Sequence, residues 1–446
     1  MREKSKKQLP LMNPMLDHPQ ARELDRISRI LDKEVTITDL VHQDLCRGRA
    51  LRETGACGMS AEQVLRAAIV KQMFGFSYER LPFHLADSNS LRGFSRIGIA
   101  DKCFKKSGIA KNIKRISAAI WEQINRILVA HGKQEEVEKG RQVRIDCTVV
   151  ESNIHPPTDA TLLFDSVRVL ARILDFIRQR GLRVPFTDHR RRAKRRMLAV
   201  QYAKKDSQRT AAYRDLLKVA GKTVGYANAA IPQVKRMAGL EAIGFCAELE
   251  RYVDLARKVI EQTERRVLKD ESVPAAEKIV SIFEPHTDII VKDRRDTYYG
   301  HKVCLCVGAS NLITDCVITD GNPADTDLTL TMLDRQHEIY GRYPLKVALD
   351  GGFASKANLA AAKERQIKDV CFAKKRGLEV ENMCRSQWVY NRLRRFRAGV
   401  ESIISWIKRS LGFDRCTWKG QRSFESYVWL SAVTANLITL ARAKAV

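Results

Sequence analysis

Leu24, Ile27 and Leu31 fall on one face of a helix over 21–31, and from Ser60 onward Val64, Ala67, Ala68 and Met73 repeat that spacing. Ser60 followed by Gln63 predicts a capping box at the start of this second helix. A third helix is expected over 81–86, with Pro82 tolerated in its first turn. A fourth is expected over 109–128, carried by Ile113, Ile116, Ile120, Ile124 and Leu128.

The period changes in RQVRIDCTVV. Val143, Ile145, Cys147 and Val149 alternate with Arg144, Asp146 and Thr148, as in a strand with one apolar and one polar face. Pro156 and Pro157 then break regular structure. Helical spacing returns over 160–270, first in Leu163, Val167, Leu170, Leu174 and Ile177, later in Leu249, Val253, Ala256, Ile260, Thr263 and Val267. Residues 276–320 read as strands: 302–308 alternate Val303, Leu305 and Val307 against Cys304 and Cys306, and 313–318 pair back across Gly308-Ala309-Ser310-Asn311.

Asp325 and Asp327 suit the positive end of a helix over 328–339. Leu345, Val347, Ala348 and Leu349 then form a strand that runs into Asp350-Gly351-Gly352. Val400, Ile403, Ile404, Ile407 and Leu411 make the apolar stripe of a further helix, and a last one over 426–441 carries Val428, Leu430 and Leu437. The expected fold is an α/β core, a mixed sheet with flanking helices, split by a long helical insertion and preceded by an all-α region. The boundaries are a basic arm over 1–58, a helical domain over 59–135, the first part of the core over 140–157, the insertion over 158–275 and the rest of the core over 276–446. The length of 446 residues supports more than one domain, since a single core seldom grows past about 250–300 residues.

Three acids stand out on this frame. Asp146 lies inside a strand, where a carboxylate is costly unless a charge meets it. Asp350 closes a strand just before a flexible turn, at the edge where open α/β sheets bind ligands. Glu401 sits on the border of its helix's apolar stripe, lined up with Arg397 and Lys408. Together they suit two divalent ions about 4 Å apart, as in phosphodiester chemistry. Any one of them alone reads as well as a cap or a salt-bridged residue. Asp325 and Asp327 are reserve ligands, and His301 beside Gly300 could approach the site, although a lone histidine at a strand start is more often structural.

A formal net charge of +27 biases the chain toward polyanions. Charge by itself fits an RNA-binding or ribosomal protein equally. The densest basic run, His189-Arg190-Arg191-Arg192-Ala193-Lys194-Arg195-Arg196, self-repels unless anions compensate it, so it reads as a nucleic-acid contact or a solvated face. Lys105, Lys106, Lys111, Lys114 and Arg115 form a second candidate phosphate-contacting face. Trp406, and Trp418 beside Lys419 and Arg422, read as packing or as platforms for unpaired bases. The eleven cysteines show no zinc spacing and read as reduced, mostly buried thiols. The charged N-terminus lacks a signal peptide's apolar stretch, and no apolar run is long enough to span a membrane, so a cytoplasmic, nucleoid-associated protein is expected.

Most of the chain resembles the DDE transposases of bacterial insertion sequences, in particular the ISNCY-like group. The resemblance is carried by MSAEQVLRAAIVKQMFGFSYERLPFHLADSNSLRGF, RIDCTVVESNIHPP, YYGHKVCLCVGASNLITDCVITDGNPAD, LDGGFAS and RFRAGVESIISWIKRSLG. Related transposases carry a Tyr-x2-Arg-x3-Glu-x6-Lys signature; Arg397, Glu401 and Lys408 match it, and Arg394 stands at the tyrosine position. The resemblance implies an RNase H-like core with Asp146, Asp350 and Glu401 as catalytic metal ligands for two Mg²⁺ (or Mn²⁺) ions. It also implies cleavage at element ends, joining of the 3′ hydroxyl to target DNA, and a homodimer assembled on DNA. Its partners would be double-stranded terminal inverted repeats and target DNA. A nuclease without strand transfer, or a non-catalytic DNA-binding protein, would keep much of the same sequence.

Overall fold

The computed structural model describes residues 17–48, 58–98, 104–236, 239–292 and 296–443. Residues 1–16 and 49–57 of the basic arm expected over 1–58 lie outside them. The chain divides into two compact units, one of Met1–Glu151 with Lys302–Val446, the other of Ser152–His301.

Among its described residues the first unit opens with seven helices: α1 (Pro19–Lys33), α2 (Val35–Cys46), α3 (Ala61–Met73), α4 (Leu81–Asp87), α5 (Asn89–Phe94), α6 (Lys106–Ile113) and α7 (Ala118–Gln134). The capping box at Ser60 is present, with the Gln63 N–H donating to the Ser60 hydroxyl and the Gln63 side-chain oxygen accepting from the Ser60 N–H. Pro82 stands in the first turn of α4. The single helix expected over 109–128 is two. The chain turns at 114–117, where the Asp44 carboxylate of α2 accepts the Ser117 N–H at 2.7 Å and so fixes the start of α7. The isoleucines keep their common face because Ile109, Ile113, Ile116 and Ile124 are all buried in one core.

Strand β1 (Gln142–Glu151) follows. Its polar face is covered too, for Arg144 and Thr148 are buried alongside Val143 and Ile145, as expected of a central strand. The second unit holds α8 (Asp159–Gln179), α9 (Arg190–Tyr202), α10 (Asp206–Lys235) and α11 (Leu240–Thr263), with a π turn over Glu264–Leu268. The predicted stripe of Leu163, Val167, Leu170, Leu174 and Ile177 is fully buried in its core, with Leu249, Val253 and Ala256. Where strands were expected from 276 onward, residues 276–287 form only a short 3₁₀ turn and bends. A hairpin follows, in which β2 (Asp288–Lys292) pairs antiparallel with the first residues of β3 (Asp296–Gly308). There His301 accepts or donates to Asp288 at 2.9 Å and to His286 at 2.8 Å, and His286 meets Glu284 at 2.9 Å. His301 is thus tied into a partly buried chain of polar side chains within its hairpin.

The division between units falls within β3. From Lys302 onward β3 pairs antiparallel with β4 (Ile313–Ile318) across the Gly308–Asn311 turn. After α12 (Asp325–Tyr340) comes β5 (Lys346–Leu349), parallel to β1, and after α13 (Lys356–Glu364) comes β6 (Asp369–Phe372), parallel to β5. The order β3-β1-β5-β6 makes a mixed sheet. The short α14 (Val380–Met383) leads to α15 (Gln387–Leu411) and α16 (Gln421–Ala443). Most residues of α16 are buried, and Asn436 on it hydrogen-bonds Asn125 of α7 and both backbone groups of Ile313 on β4.

The nine cysteines among the described residues are in no disulfide with one another, and all but Cys46 are buried. No helix of the described residues is long and apolar enough to cross a membrane.

Candidate active site

Helix α15 and the segment just after it are tied to β1 at three heights. The buried Arg144 guanidinium donates to the Phe396 carbonyl at 2.9 Å and to the Asn311 side chain, and stacks on the Phe396 ring at 4.7 Å. Gly399 permits this, because a Cβ there would strike the Arg144 guanidinium. At the far end the Glu151 N–H donates to the Asp414 carbonyl at 2.9 Å, the Cys416 N–H donates to the Glu151 carbonyl at 2.8 Å, and Arg415 pairs with the Glu151 carboxylate. Between these anchors Asp146 faces Arg397.

Arg397 gathers all three singled-out acids. One of its terminal nitrogens is 3.0 Å from the Asp146 carboxylate and 3.2 Å from that of Asp350, and the other is 2.7 Å from Glu401, one helical turn on. The guanidinium is 15% exposed and its Nε has no partner. Exposure rises from Asp146 at 14% through Asp350 at 37% to Glu401 at 65%, so the cluster opens to solvent on the α15 side. Asp146 is further steadied by accepting the Cys147 N–H at 2.8 Å.

The Asp350-Gly351-Gly352 turn is shaped by its neighbours. A Cβ at Gly351 would come within 2.6 Å of the Lys374 Cβ, and one at Gly352 would meet the Asp325 carboxylate at 2.5 Å. Asp325 is therefore beside the turn, but its carboxylate is taken by the Lys302 ammonium at 2.9 Å. Asp327 stands on the first turn of α12. Lys408 lies toward the C-terminal end of α15, with its ammonium 3.6 Å from Asp414.

Arg144 and Lys302 were not singled out from the sequence. An arginine on the polar face of the strand two residues before Asp146, with a glycine inside a helix otherwise free of them, was the available signal for the first.

The basic candidates divide. On α9, Arg190 pairs with Asp175 and Asp188, and Arg192 and Arg196 share Asp215, so half of the run is compensated inside its own unit. Arg191, Lys194 and Arg195 stay exposed, with no acid partner among the described residues. Lys106 pairs with Glu79, Arg115 donates to the Arg47 carbonyl, and Lys105 is exposed at the α6 N-cap. Trp418 is 2% exposed, not a loop platform: it packs with Tyr78 and Tyr427 around Lys71, whose amine burial pushes down to about 8. Trp406 is partly buried against the same core, under the Arg442 guanidinium.

A family model described as a transposase DDE domain matches residues 284–437, and one described as a transposase domain (DUF772) matches residues 13–115. The chain carries a DDE-type transposase domain. The second match adds a separate transposase-associated domain, and the two together are consistent with the transposases of insertion sequences and other mobile elements. No curated protein and no solved structure matches the chain. Asp350, Arg397, Glu401 and Lys408 lie inside the DDE match; Asp146 and the whole helical insertion of 158–275 lie outside both.

A DDE-type transposase domain implies metal dependence in general. Among the described residues no group of three or more His, Cys, Asp or Glu is spaced to hold a metal ion. The chemistry of the three acids is of the kind that suits a hard divalent cation, since all are carboxylates, and here they share one cationic partner, the Arg397 guanidinium. Removing that guanidinium takes the shared partner from all three carboxylates. Arg397→Ala is expected to lower stability by about 1–2 kcal/mol, a value discounted for the exposure of Asp350 and Glu401. Millimolar Mg²⁺ or Ca²⁺ should restore most of the loss while moving wild type little, as thermal melts with and without the ion would show.

Proposed function

We propose that this protein is an ISNCY-like transposase that binds the ends of its insertion sequence, cleaves there and joins the exposed 3′ hydroxyl to target DNA. The observation that carries the reading is the convergence of Asp146, Asp350 and Glu401, from two strands and a helix, on the single Arg397 guanidinium. The DDE-domain match supports it independently for Asp350 and Glu401.

Asp146, Asp350 and Glu401 would hold two Mg²⁺ (or Mn²⁺) ions. Such a pair, when bound, supplies an activated attacking oxygen and stabilises the leaving one. The chain's own residues set the stage for it. Asp146 is fixed within a central strand, and Asp350 is presented by the strand end with only glycines behind it. Glu401, the most exposed, is free to adjust on α15. Arg397, once released from the acids, is placed to meet a phosphate of the bound strand, and Lys408 stands two turns beyond Glu401 on the same helix for a second contact.

Arg191, Lys194 and Arg195 on α9, with Lys105 at the start of α6, are the uncompensated cations of the two basic runs and are assigned to the DNA backbone. Arg190, Arg192, Arg196 and Lys106 serve mainly to hold their own folds. The domains act as an arm and helical DNA-binding region over 1–135 and a catalytic core over 140–157 and 276–446, with the insertion of 158–275 between its halves. A homodimer on DNA would bring two ends to one target.

The test is a strand-joining assay on a labelled duplex carrying the element's own end, with Mg²⁺ and with EDTA. Joined product that disappears with EDTA is the expected result. Cleavage without joining would reassign the protein as a nuclease, and binding without chemistry would make it a DNA-binding protein only.

A further inference from the structure

The turn that follows β6 carries the sequence Lys374-Lys375-Arg376-Gly377, which belongs to neither of the basic runs already described. Strands β5 and β6 are parallel with Leu349 opposite Phe372, and the ladder continues one step further, for the Ala373 N–H donates to the Leu349 carbonyl at 2.9 Å. That register brings Lys374 alongside the residues just after Leu349. The aliphatic stem of Lys374 accordingly lies on Gly351, so closely that any side chain there would displace it.

The turn is held in one shape. Arg376 and Gly377 both have positive φ, 47° and 82°, and the Leu378 N–H donates to the Lys375 carbonyl at 3.0 Å. A non-glycine residue in the left-handed region is uncommon and costs energy, so Arg376 is kept there against its preference. Beneath the turn, the Tyr390 hydroxyl donates to the Phe372 carbonyl at 3.0 Å, and the Lys375 ammonium sits over the Tyr390 ring at 5.8 Å. Arg394 stands one turn after Tyr390 and one before Arg397 on α15, and its charge bears on Tyr390 and Cys371.

Lys374, Lys375, Arg376 and Arg394 are all exposed, and among the described residues no acid pairs with any of them. This contrasts with α9, where Asp175, Asp188 and Asp215 neutralise half of a similar run. Four uncompensated cations on one rim repel one another unless an anion is supplied from outside. An isolated small anion would need one enclosed pocket. The rim instead offers separate contacts along a fixed turn and the neighbouring helix, which suits a chain of phosphates.

We infer that Lys374, Lys375 and Arg376, with Arg394, form a track for the DNA phosphodiester backbone that lays the reacting strand beside Asp350. The inference rests on the transposase reading for the role of Asp350, and adds a set of strand-positioning residues to it. Lys374 is the link between the two, because its stem touches the turn that carries the acid while its ammonium reaches outward.

The test is equilibrium binding of the full chain to a fluorescein-labelled duplex of arbitrary sequence across a chloride series, without divalent metal. The slope of log affinity against log salt is expected to fall by roughly 2 to 3 in Lys374→Ala/Lys375→Ala/Arg376→Ala, at about 0.9 for each phosphate no longer neutralised. The charge-keeping Lys374→Arg/Lys375→Arg variant should retain the wild-type slope. Arg214, Lys258 and Lys269, exposed cations of the other unit, supply a charge-matched triple-alanine control whose slope should stay near wild type.

An unchanged slope in the folded triple variant would overturn the track, and so would an equal fall in the control, which would reduce the effect to net charge. Displacement of the DNA by millimolar inorganic phosphate at constant ionic strength would reassign the cluster to an isolated anion and overturn it as well. The two readings fail separately. A protein that joins strands with an unchanged slope loses only the track, and one that never joins strands but shows the fall keeps the track as a DNA contact and loses the transposase assignment.

Discussion

Replacing Asp350 by alanine is expected to slow strand joining by about 10³-fold, the several kcal/mol that charge stabilisation by bound metal contributes to such a displacement. Affinity for end DNA should change by less than about twofold, because the contacts that dominate it are cations to phosphates. The site gives a physical reason to expect a clean separation. Asp350 follows β5 and makes its ion pair with Arg397, which keeps two other carboxylate partners when it is gone. The fold should therefore survive, and a thermal melt would verify that before rates are compared. Asp146→Ala should lower joining equally but at a greater cost in stability, since its carboxylate is the most enclosed of the three. Gel-resolved joining by both variants at the wild-type rate would remove these acids from the chemistry.

The second large effect concerns the junction of the N-terminal helices with the sheet. Arg335 of α12 binds the Asp315 carboxylate of β4 through two nitrogens, one at 2.7 Å, and reaches Glu122 of α7 at 2.8 Å. Asp315 is almost wholly buried, and burial pushes its carboxyl up even though the guanidinium opposes the shift. Arg335→Met should destabilise by about 3–5 kcal/mol near neutral pH, the usual result of leaving one partner of a buried pair uncompensated. The pH dependence has a definite sign. A carboxyl whose folded value is raised contributes stability when protonated, and that contribution is lost as pH rises through the raised value. The deficit of Arg335→Met should therefore shrink on acidification. It should also shrink at neutral pH in the Asp315→Asn/Arg335→Met double variant. Urea unfolding at neutral and mildly acid pH would read both; a deficit indifferent to pH would show that Asp315 is not the group responsible.

Much of the architecture was legible because periodicity is a local signal. The stripe from Leu163 to Ile177, the capping box at Ser60 and the β3–β4 turn need only near neighbours in sequence. The three acids were legible for related reasons: a strand's alternation flanks Asp146, paired glycines follow Asp350, and Arg397 stands four residues before Glu401. What stayed hidden depends on distant partners. The break at 114–117 is fixed by Asp44, far earlier in the chain. The run on α9 is half neutralised in part by Asp215 from α10, and Trp418, set among cations in sequence, is enclosed by Tyr78 and Lys71 from the N-terminal region. Charge and aromatic content near a residue say little about its burial when the covering residues lie in another element.

The insertion of a whole helical unit between β1 and the rest of the sheet also sets an order in time. A ribosome releases Asp146 long before Asp350 and Glu401, and at roughly 5–20 residues per second the interval is on the order of ten seconds to a minute. Throughout it, β1 has neither the parallel neighbour β5 nor the helix that carries Arg397. The buried α16, whose Asn436 locks β4 to α7, is made later still. Until α15 is made the nascent chain has no means of assembling its acids, and a message cut short before α16 yields a protein without the Asn436 link between β4 and α7.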